Sequence, residues 1–299
     1  MMTHQIRSAT TMRSAISRHY HRAARSGSWH ALLLATALSA SRAGSTAAFS
    51  TMPIAWERQQ HLSSSRPMHD TRRWLSSKGS EGKDPRGSIL KRTPEQDKEI
   101  VERTLDWLQR VVIGLNLCPF ADKPFKDGNM HVEVIDGSDQ VEILARVLAE
   151  CFVRQSKPGT SLMVCPELFP SNFDAFLEVY NMLQEGVLVE HEMTEDLQVA
   201  PFHPFFEFDG SGSDGIDNYT NRSPYPIFHI LREEEVEVAV DLLDGDAGKV
   251  WKRNVRLLEE LDSVFDRSQV EQLMSGQPQE GEYREKVKAI LRKLKTSEE

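Results

Sequence analysis

The chain has 299 residues and a formal charge of −9, unevenly spread: residues 1–80 hold eleven basic side chains and two acids, a formal +9, and the rest hold 25 and 43, a formal −18. So acidic a remainder argues against binding along a nucleic-acid backbone, which needs Lys and Arg against a dense line of negative charge, and it favours solubility. No segment is long and apolar enough for a membrane-spanning helix. Three cysteines without a CxxC pair, Cys118, Cys151 and Cys165, give no disulfide framework, so reduced thiols are expected.

Residues 1–55 contain no acid and are rich in Arg and Ser, the composition of an organelle import segment. The apolar run Ala31–Ala40 is too short to cross a hydrocarbon core of about 30 Å. Arg73-Trp74-Leu75 followed by Ser76-Ser77 fits the arginine-guided cleavage context of mitochondrial presequences, while Ala48-Phe49 suits a two-step plastid route. The mitochondrion is the first expectation and the plastid the alternative. Residues 1–80 are accordingly read as a disordered targeting segment and 81–93 as a Ser, Gly and Lys-rich linker. An α/β domain is expected over 94–245 and a helical extension over 246–299.

Thr93-Pro94-Glu95-Gln96 supplies an N-cap and a first-turn proline, and Ile100, Val101, Leu105, Leu108, Val111 and Val112 recur at helical spacing as far as Gly114. His131–Ile135 alternates like a half-buried strand and stops at Asp136-Gly137. A helix through Leu144, Leu148 and Cys151 follows, then a short apolar strand, Ser161–Cys165, a helix over Phe173–Leu188 and a third strand over Leu197–Phe202. A polar loop, 209–226, precedes a fourth strand, Ile227–Leu231, a Glu-rich helix over 232–243, and two amphipathic helices beyond Gly248. Two strand–helix–strand units in succession predict a small, mostly parallel sheet of about four strands with crossover helices. The first three strands would then end on one edge, placing Asp136, Glu167 and His203 at a common rim, where open α/β sheets collect ligands.

The densest polar stretch is Asn218–Arg232. Arg222 and Arg232 have the forked donors that bind carboxylate or phosphate, with Asn218, Asn221, Ser223 and His229 as further substrate-binding candidates. The same residues also suit turn capping around Pro224 and Pro226. His203, after a strand, is a candidate acid or base, and Cys118 a candidate nucleophile if a neighbour lowers its pKa. Cys118, His203 and His229 are the residue types of an open three-ligand zinc site, though their spacing follows no metal motif. No phosphate-loop or dinucleotide pattern occurs, so nucleotide binding lacks its usual signature and the sequence leaves any cofactor open.

The blocks Trp107–Ala121, Val199–Gly210 and Asn218–Glu233 resemble, in this order, the family catalogued as domain of unknown function 1415, over about 95–240. The resemblance implies a shared domain and carries no catalytic role with it. The first functional expectation is an organellar enzyme acting on a small anionic metabolite, held by Arg222 and Arg232 and acted on by His203 or Cys118. The alternatives are a non-catalytic ligand-binding or assembly protein, and a metal-binding protein. Mass spectrometry of the mature N-terminus tests the targeting expectation: a start near Ser76 supports the mitochondrion, and one near Phe49 overturns it.

Overall fold

The computed structural model describes residues 92–243, 246 and 248–296. The expected import segment and the linker up to residue 91 lie outside the described residues. Helix α1 (Pro94–Trp107) begins with a capping box: the Thr93 hydroxyl accepts from the Gln96 amide, and the Gln96 side chain accepts from the Thr93 amide. It continues through a π-helical stretch, Leu108–Ile113. A short α2 (Asp122–Lys126) leads into β1 (Met130–Val134). Asp139 caps α3 (Gln140–Ser156), which returns the chain to β2 (Thr160–Val164). Asn172 caps α4 (Phe173–Asn181), which is prolonged by a π-helical stretch, Met182–Val187, before β3 (Leu197–Phe202).

A long connection holding one 3-10 turn, Ile216–Thr220, then reaches β4 (Ile227–Arg232) and α5 (Glu233–Asp241). The C-terminal part is α6 (Gly248–Val264), α7 (Arg267–Met274) and α8 (Gly281–Thr296). Two helices were expected there, and α7 is a third. Its start is written in the sequence as an Asp266 and Gln269 capping box. No described helix is long and apolar enough to cross a membrane.

The sheet order is β1-β2-β4-β3, with β1 and β2 parallel and β4 antiparallel to both of its neighbours. The mostly parallel sheet expected above is therefore corrected to a mixed, mostly antiparallel one. The cause lies in the β3–β4 connection. It carries no helix across a face of the sheet, so the chain re-enters at the edge where it left and must run backwards. β1, β2 and β3 nonetheless point the same way, because β4 opposes both β2 and β3.

Helices cover both faces. On one, Met163, Cys165, Val199, Phe228 and Ile230 pack against α3 and α4. On the other, Leu162, Val164 and Ile227 join Trp107 and Leu108 with Leu257, Leu261, Leu273, Ile290 and Leu294 in one cluster, so the C-terminal helices share a core with the sheet. All of β2 is buried, which explains its unbroken apolar run. Phe176 and Phe228 stack at 5.0 Å, each fully buried, and burial of such a ring contributes roughly 1.5–3 kcal/mol.

The C-terminal helices come so close to α1 that a glycine is required at the end of α7. Gly276 has φ +81°, and a Cβ there would lie 2.8 Å from the Trp107 Cα, whereas Gly128, at φ +69°, faces open space. Gly128→Ala is expected to cost about 1–2 kcal/mol for the left-handed backbone alone. Gly276→Ala should cost about 1–3 kcal/mol more, because α1 must be displaced. Denaturant titrations of the two variants check the difference, and equal losses would show that the close approach does not matter.

Candidate functional site

The strand directions bring three carboxylates together at the rim where β1, β2 and β3 end. Asp136 follows β1, Glu167 follows β2, and Asp97 lies in the first turn of α1. All three meet the guanidinium of Arg92, whose side chain is only 11% exposed. Arg92 Nε donates to Asp97 Oδ1 at 2.7 Å, Nη2 lies 2.6 Å from Asp136 Oδ1, and Nη1 binds Glu167 Oε1. The formal charge of the group is −2. Glu167 Oε2 is buried and has no hydrogen-bond partner among the described residues. Sequence reasoning placed Asp136 and Glu167 at this rim but missed Arg92, which falls in the stretch read as linker. No local spacing signals its role, since Glu167 lies 75 residues on.

His203 stands beside this rim as a fastener. Its Nδ1 accepts from the Phe205 amide at 3.0 Å, which leaves the proton on Nε2, and Nε2 donates to the Phe169 carbonyl at 3.0 Å. The ring packs against Phe173 and Phe176. Burial therefore lowers its pKa from 6.5 to about 4, against the smaller opposing effect of the Phe169 bond. Phe169 itself has φ +50°, an unusual backbone for a bulky residue. The bond from His203 holds that strained turn, two residues past Glu167, in place.

The polar residues of the β3–β4 connection are turned inward onto their own backbone. Buried Asn218 accepts from the Phe208 amide and donates to the Gly212 carbonyl, both within 2.9 Å. Arg222 donates to the carbonyls of Phe206 and Ser213 and lies 4.4 Å from the centre of the Tyr219 ring. Asn221 donates to the Pro201 carbonyl and accepts from Thr220, and Ser223 donates to the Tyr225 carbonyl. These are the contacts of loop closure, and they satisfy a long backbone segment that has no ladder of its own.

The remaining candidates do not gather here. Arg232 ends β4 at the opposite edge of the sheet, about 17 Å from its start at roughly 3.4 Å per residue, and it pairs with Glu234 and Glu235. The expected clamp of Arg222 with Arg232 is therefore not formed. His229 shares the α1 face of the sheet with Phe202, and its Nε2 donates to the Thr160 hydroxyl at 2.7 Å, which itself donates to the Ile230 carbonyl. Burial lowers its pKa to about 4. Cys118 lies in the turn after α1, beside Leu117, whose carbonyl Asn254 of α6 binds. Burial pushes its thiol up, partly offset by the amides of Phe120 and Ala121, the opposite of nucleophile activation. His203 packs on the α4 face and His229 on the α1 face, so the zinc set of Cys118, His203 and His229 is not assembled.

Two further features stand outside the predicted residues. His131, Glu133 and Glu150 offer ligand atoms within 4.8 Å of one another, but Arg146 already binds Glu133 and Arg154 already pairs with Glu150. An open cleft of about 370 Å³ near the start of β1 is lined by Gly128, His131, Arg154 and Lys157 among others.

Fold and site together define a three-layer α/β protein with a carboxylate-rich rim. Residues 99–268 match the family described as protein of unknown function DUF1415, and the chain belongs to that family. The match continues past residue 245 and takes in α6. Among curated proteins and among solved structures, none matches the chain.

Because His203 titrates lower when folded than when unfolded, the unfolded chain binds more protons between pH 4 and 6.5. Stability contributed by neutral His203 is present above about pH 6.5 and is lost as pH falls towards 4, by on the order of 3 kcal/mol. His229 adds a loss in the same window. Unfolding free energies measured across this range should show the slope, and His203→Gln should flatten it; an unchanged slope would assign the titration elsewhere.

Proposed function

We propose that this chain is a non-catalytic binding protein whose rim recognises a cationic group. One observation carries the reading. Asp97, Asp136 and Glu167 converge from three separate elements on a single point, and the one guanidinium among them leaves a formal −2. That rim lies at the carboxyl ends of three strands, where α/β sheets present their ligand sites. The side chains best suited to chemistry support binding over catalysis. His203 has both ring nitrogens engaged by the backbone, and burial suppresses the thiolate of Cys118. An enzyme acting on a small anion would draw on Arg222 and Arg232 together, and these are separated and occupied by carbonyls and glutamates. We retain organellar import as part of the proposal, with the mitochondrion first, on the strength of the acid-free N-terminal 55 residues.

The test is a thermal and chemical stability titration of the full chain with L-arginine, agmatine and spermidine, alongside phosphate and citrate. Saturable stabilisation by the cations is expected, about 2.7 kcal/mol at a hundredfold excess over Kd, and it should disappear in Glu167→Gln and Asp136→Asn. Stabilisation by the anions alone, or cation effects that survive both substitutions, would overturn the reading.

A further inference from the structure

β1 is the end strand of the sheet, and among the described residues no strand pairs with its outer side. The direction of its free backbone groups follows from its bonds to β2. Asn129 accepts from the Thr160 amide and Ile135 donates to the Val164 carbonyl, so the odd-numbered residues turn their amides and carbonyls inward. With the period of two along a strand, Met130, Val132 and Val134 turn theirs outward. The side chains alternate in the opposite sense of chemistry. Met130, Val132 and Val134 pack towards the α1 face, while His131 and Glu133 lie on the α3 face, where Glu133 meets Arg146. β2 is wholly buried but β1 is only partly so.

The five residues Met-His-Val-Glu-Val complement themselves when read backwards. An antiparallel pair centred on Val132 sets Val132 against Val132 and Met130 against Val134, the outward-facing pairs that exchange backbone hydrogen bonds. The same register sets His131 of each copy opposite Glu133 of the other, at the closer, non-hydrogen-bonded positions. Glu133, which binds Arg146 and lies 3.4 Å from His131 of its own strand, then takes a second imidazole as partner. A parallel arrangement would place carboxylate on carboxylate and is disfavoured. From this match of apolar with apolar and imidazole with carboxylate, we propose that β1 is a self-association surface. Two copies of this chain join along it about a twofold axis, making one continuous eight-stranded sheet. Such an isologous contact is closed, so assembly stops at the dimer.

Sedimentation of the full chain over a concentration series reads the proposal directly. The mass should rise from 34.0 kDa towards twice that value. His131→Glu places two carboxylates opposite each other, and Glu133→His places two imidazoles, so each variant alone should dimerise at least tenfold more weakly. Mixed one to one, the two variants restore both His–Glu pairs, and the heterodimer should form at wild-type strength. Val132→Pro, which removes an outward amide and leaves the β2 bonds intact, should abolish association in a folded chain, as circular dichroism would verify. A mass that stays at 34.0 kDa up to the solubility limit, a dimer unaffected by either charge change, or a mixture no stronger than its components would overturn the proposal.

Discussion

The architecture depends on how the connection between β3 and β4 satisfies its own backbone. Residues 203–226 leave the sheet and return to the same rim without a crossing helix, so their amides and carbonyls have no ladder to join. Asn218 and Arg222 supply those partners from inside the loop, and His203 ties its start to the turn after β2. Because the segment is closed in this way, β4 is delivered between β2 and β3. There it adds Ile227 to one core and Phe228 and Ile230 to the other. An unclosed loop would leave β2 and β3 with a gap between them and both hydrophobic layers incomplete.

Local features of the chain were legible in the sequence to the extent that their causes are local. The Thr93 cap, the helical stripes and the alternation of β1 all appear where expected, because capping and periodicity act over a few residues. The direction of β4 was not legible. Strand pairing is decided by where the preceding loop ends in space, which no residue of β4 records. The rim was legible for a different reason: Asp136, Glu167 and His203 depend on the directions of β1 to β3, and inserting β4 leaves those directions unchanged.

The polar stretch around Asn218 to Ser223 shows the limit most clearly. Asn, Arg and Ser bind a ligand with the same donors and acceptors that close a loop, and sequence lists these groups without saying what they meet. Only the inward contacts of Asn218 and Arg222 separate the two roles. Arg92 is the converse case. Its surroundings in sequence are those of a linker, and its importance comes entirely from partners brought to it by the fold. The two π-helical stretches likewise extend ordinary helical stripes with no distinguishing pattern.

Arg92 lies seven positions ahead of the segment matched to the family, whereas Asp136 and Glu167 lie within it. The electrostatics of the rim therefore straddle the family boundary: Asp136 and Glu167 belong to the inherited unit, while Arg92 and Asp97 come from the chain that leads into it. A fragment cut at the family boundary would keep the whole sheet and, losing Arg92 and Asp97 together, a formal −2 at the rim, but Asp136 and Glu167 would be left without the guanidinium that bridges them. Two proteins that share this domain but differ in the few residues before it thus differ in surface potential at the rim, with no substitution in the domain itself.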